Sequence, residues 1–95
     1  MTTLAEKRHM GKVADLGCLV CLRMGFEGTL AEIHHKRSGT GGGRRASHFA
    51  VMGLCPEHHR GKTGIHGLGV KGFAKEYGYD EDDLLADVKR LLGLD

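Results

Sequence analysis

Polar and apolar positions divide the chain into short elements punctuated by glycine. From Thr3 to Asp15, apolar Leu4 and Val13, with Leu16 just beyond, alternate loosely with basic Lys7 and Arg8, which predicts a helix. Thr3 and Glu6 have the spacing of a capping box, and Gly17 predicts the stop. Arg23 to Thr29 holds two glycines and reads as a loop. Leu30-Ala31-Glu32-Ile33-His34-His35 reads as a short strand. Phe49, Val51, Met52 and Leu54 restore an apolar run and predict a return strand leading into Cys55. Pro56 suits the first turn of a helix, predicted from Pro56 to about Gly61. Gly61 to Gly69 reads as irregular, and Val70 to Tyr77 as a short helix with Val70, Phe73, Ala74 and Tyr77 on one face. A better helix opens at Asp80. Asp80, Glu81 and Asp82 suit its N-terminus, and Lys89 and Arg90 its C-terminus. Leu84, Leu85, Val88, Leu91 and Leu92 form its apolar stripe, and Gly93 can cap it. There is no internal repeat and no boundary, so residues 1–95 are expected to form one domain.

Composition makes burial alone an inadequate source of stability. Aromatic residues are 5% of the chain, Trp is absent, and there are 16 glycines, each costly to order. A structural metal supplies the missing free energy, of order 10 kcal/mol for a tight zinc site. The three cysteines cannot all pair within the chain, which argues against a secreted disulfide framework. The N-terminus lacks the apolar run of a signal peptide, and no segment approaches the roughly 18 apolar residues of a membrane span. The expected compartment is the cytosol, where thiols stay reduced and free to bind metal. A net charge of +2 is only mildly basic, so any nucleic-acid contact must rest on the distribution of charge.

Cys18-x2-Cys21 and Cys55-x2-His58 are two close ligand pairs, giving three thiolates and one imidazole. Tetrahedral zinc needs that set, and a filled shell marks a structural ion. His34, His35, His59 and His66 remain. Neighbours on a strand point to opposite faces, so His34 and His35 are expected to diverge unless the strand bends. His59 lies about 100° around a helix from His58, so it can serve a neighbouring site but not the same one. Arg37 to Arg45 contains four glycines, three arginines and no apolar side chain. It is either a flexible linker or a phosphate-contacting loop, in which backbone N–H groups and guanidinium forks meet an anion. Two motifs fail on context. Gly67-Leu68-Gly69-Val70-Lys71-Gly72 matches a dinucleotide fingerprint but follows no apolar strand. Gly61-Lys62-Thr63 lacks the upstream glycine of a phosphate loop, because that position is Pro56.

A cysteine pair, a histidine doublet on a strand and a Cys-x2-His pair followed at once by His together resemble the HNH endonucleases. Ala31-Glu32-Ile33-His34-His35, Gly39-Thr40-Gly41, Gly43-Arg44-Arg45-Ala46-Ser47-His48-Phe49 and Leu54-Cys55-Pro56-Glu57-His58-His59-Arg60 are similar, within that class, to the phage Ref family of RecA-dependent DNA nucleases. Ile65-His66, Leu68-Gly69 and Phe73 continue the similarity, which covers about residues 14 to 78. The resemblance implies an α+β fold, a zinc-stapled ββα-metal (His-Me finger) core with flanking helices. It implies cleavage of DNA phosphodiesters, with the RecA filament as a partner. His34, His59 and His66 would bind a catalytic Mg²⁺, Mn²⁺ or Zn²⁺ ion, and His35 would be the general base. Arg44, Arg45, Lys36 and Arg60 would hold the phosphate backbone. The sequence departs from the family pattern in two respects: it has only a short N-terminal helix and no long basic arm, so DNA affinity is expected to depend on a partner, and it contains no asparagine, with His48 near the place of the HNH asparagine. The resemblance therefore gives His48 the task of tethering the hairpin by a hydrogen bond. The alternative is an inert zinc-dependent adaptor that binds DNA or protein. It needs Cys18, Cys21, Cys55 and His58, but has no use for His34, His35 and His59.

Overall fold

A computed structural model describes residues 2–37 and 47–94. The predicted phosphate loop, with Arg44 and Arg45, lies outside the described residues apart from Arg37. The elements are α1 (Leu4–Asp15), α2 (Leu19–Arg23), β1 (Glu32–His35), β2 (Val51–Leu54), α3 (Pro56–Arg60), α4 (Ile65–Tyr77) and α5 (Glu81–Leu92). The architecture is small α+β: an antiparallel pair of strands, packed among several helices.

Helix α1 starts at the predicted capping box, with Thr3 Oγ1 accepting from the Glu6 N–H and Glu6 reaching back to the Thr3 N–H. It ends at the predicted place, before Gly17, which adopts φ 78°. Strand β1 is shorter than expected, because Leu30 is exposed and only Glu32 onward pairs with β2. The register sets Glu32 opposite Leu54, Ile33 opposite Gly53, His34 opposite Met52 and His35 opposite Val51. With a period of two, Glu32 and His34 share one face, and Ile33 and His35 share the other. Strand β2 is buried throughout, since α1, α2, α3 and α5 all pack on it.

Two segments depart from expectation. Residues 19–23 form a helix where the sequence predicts none, because Cys18 acts as its N-cap and accepts from the Cys21 N–H through sulfur. Gly61 to Gly69 is not irregular throughout: α4 begins at Ile65 and runs to Tyr77, broken only at Gly69, whose φ of 77° kinks it. The glycine-rich spacing hid this first turn, although Ile65 is fully buried and anchors it. The core joins Val13, Leu19, Val20, Val51, Met52, Leu54, Ile65, Phe73, Leu84 and Val88. Each such side chain stabilises the fold by roughly 1.5–3 kcal/mol when removed from water. Helix α5 follows the prediction closely, with an Asp80–Asp83 capping box and left-handed Gly93 at its end. Of its predicted stripe, Leu84 and Val88 reach the core and Leu91 stays exposed. No helix among the described residues is long and apolar enough to cross a membrane.

Candidate metal centres and histidine face

The two cysteine-containing pairs converge. Cys18 caps α2, Cys21 lies one turn later, Cys55 caps α3 and His58 lies one turn along it. His58 Nδ1 lies 3.5 Å from Cys18 Sγ, 3.6 Å from Cys21 Sγ and 3.2 Å from Cys55 Sγ, and Cys21 Sγ is 3.9 Å from Cys55 Sγ. Zinc–sulfur bonds of about 2.3 Å and zinc–nitrogen bonds of about 2.0–2.1 Å give tetrahedron edges of about 3.8 Å between sulfurs and about 3.6 Å from sulfur to nitrogen. The four donors already stand near those edges, and all three cysteines are free thiols. Burial pushes the Cys18 thiol up to about 12, because a bare thiolate is costly away from water. Burial also lowers His58, which favours the neutral, ligating imidazole. These four residues are placed to hold a metal ion, and the donor set suggests zinc.

A second group forms next to the first. Its members are His34 on β1, His59 on α3 and His66 on α4, with one donor nitrogen from each lying within 4.8 Å of the others. His34 is buried, with its ring centroid 5.1 Å from those of both His59 and His66. The helical offset works as the sequence suggests: His58 faces the thiols, while His59 faces the histidines. His66 reaches the group because α4 begins hard against α3. A Cβ on Gly67 would collide with the Gly61 carbonyl oxygen, so this approach requires glycine.

Hydrogen bonds fix much of the protonation pattern. His59 Nδ1 meets Glu32 Oε1 at 2.8 Å, and its Nε2 lies 3.1 Å from His66 Nε2. The Arg60 guanidinium, and then His59, hold the Glu32 carboxyl at about 2, so it is ionised and can only accept. His59 therefore donates from Nδ1, and when it is neutral its lone pair is on Nε2. On His66, Arg37 Nη1 donates to Nδ1 across 3.0 Å, since a guanidinium has no acceptor. The proton of neutral His66 is thus on Nε2, facing His59. Burial, together with the nearby charges of His34, His59 and Arg37, lowers His66 below the usual imidazole range.

His35 does not join the three-histidine group. Being on the opposite strand face, its Nε2 pairs with His48 Nδ1 at 2.9 Å, with the rings edge to face. Lys36 and Arg60 are engaged with carboxylates, Lys36 with Asp82 at 2.6 Å and Arg60 with Glu32 at 2.9 Å. Two residues of this face were missed by sequence reasoning. Glu81, fully buried, sits 2.7 Å from His34 Nε2, and Glu32 backs His59. The signal for Glu32 was its two-residue offset from His34 on the strand. Nothing local marks Glu81, which reads as one more acid at a helix start.

Residues 2–93 match the model of a protein family described as recombination enhancement, RecA-dependent nuclease. No individual curated protein matches the chain.

Proposed function

The chain belongs to the recombination-enhancement, RecA-dependent nuclease family, and on that premise we propose that it is a metal-dependent DNA endonuclease of the HNH type, with β1, β2 and α3 as its ββα-metal core. The observation that carries the proposal is the three-histidine group beside the separate His35–His48 pair. A zinc-stapled adaptor has no need of either. His34, His59 and His66 would hold the catalytic ion, and an all-imidazole set suits Zn²⁺ better than Mg²⁺. When bound, such an ion polarises the scissile phosphate and stabilises the departing 3′ oxygen.

His35 acts as general base on the attacking water. In this reading it donates from Nε2 to His48 Nδ1, and its Nδ1 takes the proton from the water. His48 then stabilises the imidazolium that forms, and in doing so replaces the HNH asparagine as the tether. An imidazole suits this role at neutral pH with little tuning. Arg44 and Arg45 are the first candidates for phosphate contact. Lys36 and Arg60 neutralise Asp82 and Glu32, and each must release its carboxylate before it can bind DNA. The family description supports RecA dependence and a role in recombination; the proposed substrate is DNA held in a RecA filament, cut in the cytoplasm of a bacterial host during phage recombination.

Nicking of supercoiled plasmid with Zn²⁺, Mn²⁺ or Mg²⁺, with and without RecA filaments, tests the proposal. Metal-dependent nicking that RecA stimulates is the expected result. Zinc-loaded, folded protein that binds DNA but never nicks it would leave the adaptor as the better account.

A further inference from the structure

We infer that Glu81 is a positioning residue for the histidine centre: it holds His34 as the Nε2–H tautomer and so reserves Nδ1 for the ion. The inference rests on the proposal that His34, His59 and His66 bind a divalent cation.

The contact is short and dry. His34 Nε2 and Glu81 Oε2 are 2.7 Å apart, and both side chains are almost wholly excluded from solvent. The carboxylate is fixed from a second direction, because the Arg37 N–H donates to Oε1 at 3.1 Å and Oε2 at 3.0 Å. Glu81 is also the first residue of α5, where the helix dipole and unpaired N–H groups favour negative charge. An ionised carboxylate has no proton to give, so the proton in the contact is that of His34. A neutral imidazole protonated on Nε2 carries its lone pair on Nδ1.

His59 repeats the arrangement with the nitrogens exchanged, its Nδ1 being held by Glu32 and its Nε2 turned to His66. Two of the three proposed ligands are therefore each backed by a carboxylate, one from β1 and one from α5. Carboxylates behind ligating imidazoles fix ring orientation and raise ligand basicity. Fold stability alone is a weak reason for the Glu81 contact, since a buried acid–imidazole pair generally does no better than apolar side chains of the same volume.

The test uses the full chain with zinc in the thiolate site and the histidine site empty. Nitrogen-15 NMR of its imidazoles is expected to show His34 neutral and protonated on Nε2. Calorimetric titration with Co²⁺ should then give an affinity about 10–100-fold lower for Glu81→Gln than for wild type. The glutamine keeps an acceptor for the Arg37 N–H, so folding and thiolate-site zinc are expected to be retained. His34 protonated on Nδ1, or on both nitrogens, in the wild type overturns the inference even if the variant does not fold. Wild-type Co²⁺ affinity in a folded Glu81→Gln also overturns it, while leaving the nuclease proposal intact. Wild-type protein that takes up no Co²⁺ at the histidines overturns both.

Discussion

At the scale of the residue, the adjacent histidines of β1 have separate tasks. His35→Ala removes the proposed base but no ligand, so zinc content, folding and DNA binding should stay near wild type. Single-turnover nicking should fall by about 10²–10⁴-fold. His59→Ala removes a ligand, so its defect should be partly relieved by excess divalent metal, unlike that of His35→Ala. A metal titration of nicking separates the two, and a His35→Ala variant that cuts at the wild-type rate sinks the assignment. Arg37 allows a prediction of opposite sign. It pins the His66 proton on Nε2, the nitrogen that faces His59, so ion uptake there must displace that proton. Arg37→Ala should bind Co²⁺ more tightly at the histidine centre by roughly fivefold, the equivalent of one net hydrogen bond. Unchanged or weaker binding in calorimetry would show that His66 ligates by another route. At this scale the two candidate ligand groups were legible, because cysteine and histidine carry their chemistry in their identity and spacing. Glu81 was not legible: its partner lies 47 positions earlier in the chain, and only the packing of α5 on the hairpin brings them together.

At the scale of the element, the junction between α3 and α4 controls the third histidine. Gly64 is buried there, and a Cβ on it would lie 2.5 Å from the Glu57 carbonyl oxygen; the clash at Gly67 is closer still. Gly67→Ala must push α4 away from Gly61, and His66 moves with it. The expected result is a loss of histidine-site affinity larger than the loss of thermal stability, since the Cys18–Cys21–Cys55–His58 frame lies on elements that precede the junction. Co²⁺ titration beside a thermal melt measures both, and a variant that melts early but binds Co²⁺ normally contradicts this. Strand, cap and apolar-stripe signals located most elements. They failed for α2 and for the first turn of α4. One depends on a cysteine acting as a helix cap, the other on glycines that permit contact between helices, and neither has a strong sequence signature.

At the scale of the whole molecule, Cys18 and Cys21 at α2 meet Cys55 and His58 at α3, so an ion held by all four would tie the two helices together. Cys55→Ser should aggregate or unfold the chain, and metal analysis of the wild type should find about one tightly held zinc in that site. Protein that is folded and zinc-free would contradict this. The raised Cys18 thiol gives the sign of the pH effect. Without metal it is protonated at pH 7, and ligation requires the thiolate, so zinc uptake must expel at least that proton. Zinc affinity should therefore fall as pH falls, by about tenfold per unit for each proton released. Zinc titration in weak buffer with a pH indicator reads this directly, and uptake without acidification would mean the thiols were already ionised.

His58 and His59 are consecutive residues of one five-residue helix, yet they face different centres. An ion on either side fixes the same short backbone segment, so the two occupancies form one thermodynamic cycle. If thiolate zinc raises affinity at the histidines by some factor, an ion at the histidines must raise the retention of thiolate zinc by that same factor. Couplings of this kind commonly amount to about 1–3 kcal/mol, enough to see as tighter zinc binding in equilibrium competition with a chelator when Co²⁺ occupies the second centre. Equal zinc affinity with and without Co²⁺ would mean that the helix holds its shape unaided. A chain that shed zinc from the thiolates would then hold the proposed catalytic ion more weakly by that same factor, whichever ion had bound first.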